Sequence, residues 1–70
     1  MSGKITVTLN GCEEVIAEGA TIMDLLDLLD ERDDHLIVEH NDMFIPPSQY
    51  ATRQVADGDT VEFINPNLGG

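Results

Sequence analysis

The chain has 70 residues, 41% of them hydrophobic, and a formal net charge of −11 from 14 acidic and three basic residues. We expect one small domain with a single core, since this length leaves little room for a second. The charge argues against binding to nucleic acid or an anionic membrane and favours a protein partner with a basic face.

The first 17 residues predict a β-hairpin. Within residues 4–9, apolar side chains alternate with threonines, a period-2 pattern typical of a strand buried on one face. Asn10-Gly11 favours the positive φ angles of a type I′ turn. Residues 12–17 are therefore expected to return antiparallel to the first strand.

One amphipathic helix is predicted next. Thr21 precedes Asp24 by three residues, the pattern of an N-cap hydroxyl followed by an acid in the first turn. Residues 22–31 then place apolar side chains at i, i+3, i+4 and i+7. The apolar stripe is Ile22, Leu25, Leu26 and Leu29, and the acidic face is Asp24, Asp27, Asp30 and Glu31, followed by Asp33 and Asp34.

Asp33 and Asp34 oppose the helix dipole, and no local group in the sequence compensates them. Two interpretations stay open. The acidic residues either form a solvated face or attract a basic partner.

The second half of the chain predicts short strands separated by turns. In order, it contains an apolar run at 36–40, a turn at 41–42, a strand fragment at 43–45 that the prolines at 46–47 end, an irregular loop or single helical turn at 48–55, a tight turn at 57–59 and a last strand at 61–64. The helix must cover one face of a sheet, which predicts the two-layer α+β class. We assign residues 1–64 to the domain and 65–70 to a flexible tail.

The tail ends on Gly69-Gly70, and only Leu68 in it could anchor to a core. A frayed terminus is the simple interpretation. Alternatively, a backbone without Cβ atoms can enter a narrow cleft and present its terminal carboxylate to another protein.

The stretch VEHNDMFIPPSQYATRQVADGDTVEFI, together with the terminal Gly69-Gly70, resembles the β-grasp sulfur carriers of the ThiS and MoaD type, and the ThiS branch most. The resemblance covers essentially the whole chain. It implies a ubiquitin-like fold, with a mixed sheet of four to five strands and one main helix on one face.

The resemblance also implies a mechanism in which an E1-like activating enzyme of the ThiF type adenylates the carboxylate of Gly70. Sulfur from a desulfurase system then replaces AMP, and the thiocarboxylate donates sulfur to a thiazole synthase of the ThiG type, for thiamine. Gly70 is thus the attachment site, with Gly69 and Leu68 recognised in the tail. The chain would be a cytoplasmic cosubstrate, neither an enzyme nor a cofactor-binding protein.

Several alternatives stay open at this point. Related carriers supply sulfur to molybdopterin or to a sulfur amino acid, and a β-grasp domain can also be a noncovalent interaction module. Ile64 lies on the strand face opposite Val61 and Phe63, just before the tail. We predict that Ile64 contacts the activating enzyme, the alternative being simple edge packing.

Two other groups of residues are expected to have no chemical role. Cys12 has no cysteine partner, and acidic Glu13 and Glu14 beside it disfavour a reactive thiolate. The two histidines lack standard metal-ligand spacing, so no metal site is predicted, and His40 is expected at the surface. The candidate metal ligands that lie near one another in the sequence are His35, Glu39, His40 and Asp42.

Overall fold

A computed structural model describes residues 3–31 and 33–66 as a five-stranded sheet with one helix packed on one face. The elements are strands β1 (Lys4–Leu9) and β2 (Cys12–Ala17), helix α1 (Ile22–Leu28), strands β3 (Ile37–His40) and β4 (Met43–Ile45), a 3-10 turn (Pro47–Gln49) and strand β5 (Thr60–Ile64). The strand order is β2-β1-β5-β3-β4. Strands β1 and β5 are parallel, and the other neighbours are antiparallel. The predicted α+β class and mixed sheet are confirmed.

Both hairpins turn through two residues in the left-handed region. Asn10 and Gly11 have φ angles of 52° and 83°, as predicted for a type I′ turn between β1 and β2. Asn41 and Asp42 make the equivalent turn between β3 and β4, with φ angles of 52° and 68°. The second hairpin therefore holds a left-handed conformation without glycine.

The helix begins where it was predicted to begin. The Thr21 hydroxyl accepts a hydrogen bond from the Asp24 N–H at 3.2 Å, and the Asp24 carboxylate accepts one from the Thr21 N–H at 2.9 Å. This reciprocal capping box satisfies two backbone donors that a helix start leaves without partners.

The helix ends earlier than predicted, at Leu28. The Glu31 N–H donates to the Leu26 carbonyl at 2.9 Å, and Asp30 takes a left-handed φ of 56°, the geometry of a Schellman C-terminus. Leu29 is the C-cap and is 37% exposed, so placing it in the buried stripe was wrong. The i, i+3, i+4, i+7 pattern does not hold for Leu29, because the helix ends at Leu28 and the chain then reverses direction.

The core lies between α1 and the sheet face that α1 covers. It consists of Ile5, Val7, Leu9, Ile16, Ile22, Leu25, Leu26, Leu36, Val38, Ile45, Val55, Val61 and Phe63. Each central strand contributes alternate residues to this face, as period-2 patterns require. Among the residues described, every buried side-chain nitrogen or oxygen has a hydrogen-bond partner, and no helix is long and apolar enough to cross a bilayer.

The Asp57-Gly58-Asp59 turn ties the start of β5 to β1. Asp57 Oδ1 accepts from the Thr6 N–H at 2.8 Å, and the Gly58 N–H donates to the Thr6 carbonyl at 2.8 Å. The Thr8 N–H then donates to the Asp59 carbonyl at 2.9 Å. The turn thus extends the parallel β1–β5 ladder before β5 begins, which positions the strand that leads to the tail.

Candidate functional site at the end of strand β5

Strand β5 ends between two fixed neighbours. On one side, Ile64 pairs with Ile37 of β3. On the other, the Phe63 N–H donates to Asn10 Oδ1 at 2.8 Å, and the Asn10 N–H donates to the Val61 carbonyl at 3.0 Å. The chain therefore leaves the sheet from a defined position on the domain.

Asn65 is half-buried and Pro66 is exposed. Because proline has no N–H, Pro66 cannot continue the ladder. The predicted tail residues Leu68, Gly69 and Gly70 lie outside the described residues, so their roles stay predictions, as does the division of the chain at residue 64.

Ile64 projects from the sheet face opposite α1, which we call the outer face. It is 41% exposed, whereas Val61 and Phe63 on the same strand are buried, as the alternation predicted. Ile37, directly across from Ile64, is half-buried, and Phe44 on β4 is 60% exposed. We call Ile37, Phe44 and Ile64 the outer-face patch.

Acidic side chains lie beside this patch. Glu39 pairs with Glu62 on β5 and with Phe44 on β4. Carboxylate oxygens of Glu39, Asp42 and Glu62 lie within 4.8 Å of one another. Like charges directly opposite on a sheet are destabilising, so this arrangement weakens the fold locally and makes the outer face strongly negative. Carboxylate oxygens are ligands that hard cations prefer. However, one of these groups is half-buried and two are exposed, and such exposed acidic clusters are common without a bound ion.

His40 is buried, so its predicted surface position was wrong. It is 5% exposed and alternates with Val38 on the core face. Its Nε2 lies 2.6 Å from Asp59 Oδ2, and its Nδ1 accepts from Arg53 Nε at 3.1 Å. Because Arg53 can only donate, Nδ1 must be the unprotonated nitrogen, and Nε2 carries the proton that bonds to Asp59. Both nitrogens are therefore occupied, and His40 is not a metal ligand in this arrangement.

Asp59 is the acceptor at the centre of this network. Burial acts to raise the pKa of Asp59, but hydrogen bonds from His40, the Ala56 N–H (2.7 Å) and Asn41 Nδ2 (3.1 Å) outweigh it, and the pKa lies below its ordinary value. The carboxylate thus stays ionised at neutral pH. The network joins β3, the turn between β3 and β4, and the segment before β5, so its role is structural.

The other residues singled out in the sequence are separate from this network. Cys12 is exposed and free at the start of β2. Asp33 Oδ1 accepts from the His35 N–H at 2.8 Å, so the expectation that Asp33 lacks local compensation was wrong. His35 itself is exposed, and its backbone rather than its ring makes this bond.

Comparison with known proteins agrees with the fold. The family model described as the ThiS family matches residues 5–70. Among solved structures, the thiamine biosynthesis protein ThiS from Geobacter metallireducens is similar, with 28% sequence identity, a TM-score of 0.77, and coverage of 86% of this chain and 91% of that chain. No curated protein shows significant sequence similarity to the chain.

The sheet order, the helix packed on one face of the sheet and this structural similarity define the β-grasp fold. The chain belongs to the ThiS family, since the family model matches almost its whole length. It is thus a ThiS-type sulfur carrier, a small carrier protein rather than a catalyst.

Proposed function

We propose that the chain carries sulfur for thiamine biosynthesis as a thiocarboxylate on Gly70. The observation that supports this most directly is the family match, which runs through residue 70 and so includes the Gly69-Gly70 terminus. The similar structure is named as a thiamine biosynthesis protein.

The chemistry has two steps. A terminal carboxylate has a reference pKa of about 3.3–3.7, so it is ionised at neutral pH and is a poor electrophile. In the first step, a carboxylate oxygen of Gly70 attacks the α-phosphate of ATP on a ThiF-type enzyme, and pyrophosphate leaves. In the second, the outer sulfur of a persulfide from the desulfurase system attacks the acyl carbon and displaces AMP, and a second thiol cleaves the resulting acyl disulfide to release the thiocarboxylate. The thiocarboxylate then passes its sulfur to a ThiG-type synthase.

The domain contributes recognition and reach rather than chemistry. Asn10 and Ile37 hold the end of β5, so the tail starts from a fixed point. Six residues at roughly 3.3 Å each can extend by about 20 Å, enough to reach into another protein's active site. Glycines at the tip keep the approaching chain thin.

We further propose that the activating enzyme contacts Ile64 and the rest of the outer-face patch. In this patch Ile64 and Phe44 are exposed and Ile37 is half-buried, and acidic Glu39 and Glu62 lie next to them. With a net charge of −11, the domain would attract an enzyme surface that surrounds an apolar contact with basic groups. We place the carrier in the cytoplasm, where ATP is available for this activation.

Intact-mass spectrometry tests the proposal. The full chain is incubated with ATP, a ThiF-type enzyme and a sulfur source, and we expect one oxygen of the C-terminal glycine to be replaced by sulfur. A chain lacking Gly70 is the control and should gain no mass. An unchanged mass in the full chain would favour a noncovalent module. If a thiocarboxylate forms but a ThiG-type synthase does not accept it, the chain would instead supply sulfur to another product, such as molybdopterin or a sulfur amino acid.

A further inference from the structure

A cleft with an apolar floor and an acidic rim lies on the helix side of the domain, away from the outer face. It encloses about 370 Å³ between α1, the segment that follows α1 and the 3-10 turn. Its apolar lining is Met23, Leu26, Leu36, Pro47 and Tyr50. Its rim carries the carboxylates of Asp27, Glu31, Asp33 and Asp34. The volume is near the lower end of the roughly 300–1,000 Å³ typical of ligand pockets, enough for a few side chains.

The walls of the cleft are held in place by the fold. Leu26 and Leu36 are core residues. The Met23 N–H donates to the Tyr50 carbonyl at 2.9 Å, which attaches the 3-10 turn to the first turn of α1. Tyr50 packs against the core and is only partly buried. Because the walls are preformed, an occupant would not have to order them.

The segment that lines the cleft carries a net negative charge. Residues 27–34 contain five acidic residues and one arginine, a net charge of −4 even with Arg32 counted in full. The other two basic residues act elsewhere, since Arg53 bonds to His40 and Lys4 lines a groove beside β2. The carbonyl end of α1 adds further negative potential, and the described last turn of α1 has no basic residue.

We propose that this cleft binds a lysine- or arginine-bearing segment of a partner protein. Long basic side chains have an aliphatic stem and a cationic head. The stem would lie on Leu36 and the Tyr50 ring, which also attracts a cation placed over its face. The head would reach the rim carboxylates. A second copy of this chain is a poor occupant, because each copy carries the same net charge of −11.

Tyr50 provides a direct test, because the chain has one tyrosine and no tryptophan. Intrinsic fluorescence of the full chain therefore reports on the cleft. The probe is a short, capped peptide of lysine and leucine, and a glutamate–leucine peptide of the same length is the control. We expect saturable quenching or enhancement with the basic peptide, no change with the acidic one, and the same binding by a chain lacking Gly70, which separates this proposal from sulfur transfer.

Two double variants distinguish binding in the cleft from nonspecific attraction of the basic peptide to the acidic domain. Asp27→Asn with Asp34→Asn removes two rim charges, and we expect the Kd of the basic peptide to rise about fivefold. Glu13→Gln with Glu14→Gln removes two charges from β2, and we expect less than a twofold change. Circular dichroism checks that both variants fold. Equal weakening in the two variants, binding without a Tyr50 signal, or self-association through the cleft would each overturn the proposal.

Discussion

His40 Nε2 lies 2.6 Å from Asp59 Oδ2, and this contact connects the end of β3 to the turn that starts β5. On its other side, the His40 ring accepts a hydrogen bond from Arg53. One imidazole thus joins strand β3 to two later points of the chain, 13 and 19 residues further on. The ring lies at the end of the core opposite the strand end that leads to the tail. Its burial there is favourable because both ring nitrogens have hydrogen-bond partners.

Replacing His40 with alanine should destabilise the domain. The change removes the buried ring together with its hydrogen bonds to Asp59 and Arg53, and we expect a loss of about 1–3 kcal/mol. Urea unfolding followed by circular dichroism measures the loss. His35→Ala is the matched control: His35 is exposed and bonds through its backbone, so we expect a change within about 0.5 kcal/mol. Equal losses in the two variants would contradict a structural role for the His40 ring.

Asp59 should contribute to the acid sensitivity of the fold. Its pKa is lower in the native state than the ordinary 3.8, so the unfolded chain takes up the proton first as pH falls. The stabilisation from Asp59 is therefore complete well above pH 3.8 and is lost as pH falls below that value through the native pKa. Unfolding measured in urea as a function of pH tests this. The difference in unfolding free energy between the native chain and Asp59→Asn should shrink as pH falls below 3.8. A constant difference would show that Asp59 does not contribute to the acid sensitivity of the fold.

Asp42→Gly should stabilise the second hairpin. Asp42 holds a φ of 68°, whereas the equivalent residue of the first hairpin is Gly11. Glycine takes this conformation without Cβ strain, and we expect a gain of about 0.5–1 kcal/mol in the free energy of unfolding. Asp42 also belongs to the acidic trio with Glu39 and Glu62, so Glu62→Gln, which removes one charge of the trio and leaves the turn residues unchanged, serves as the control for charge. If the two variants gain equally, charge rather than turn geometry explains the effect.

Ile64→Ser should weaken association with a ThiF-type activating enzyme. If Ile64 is a central apolar contact, its loss should raise the Kd about tenfold, equivalent to about 1.4 kcal/mol. Val15→Ser is the matched control, because Val15 is 67% exposed on the same face but lies on β2, away from the tail exit. Calorimetric titration measures both affinities. Similar weakening in the two variants would indicate that Ile64 is only an exposed strand residue.

Local patterns in the sequence predicted most of the elements, because their causes are local. Asn10-Gly11 favours its own turn conformation, and the Thr21 capping box needs only a residue three positions away. Alternation along β5 placed Ile64 on the outer face for the same reason. The order of these elements, with the terminal glycines, was enough to indicate the fold and the carrier family.

The burial of His40 and the formation of the cleft depend on residues that only the tertiary structure brings together. A histidine after an apolar strand looked like a surface residue, and only the meeting of Asp59 and Arg53 at one point of the core makes its burial favourable. Likewise, the acidic residues that follow α1 were visible in the sequence as a charged run. That they border an apolar cleft with Tyr50 depends on how the 3-10 turn packs against the helix, a contact that no short stretch of sequence encodes.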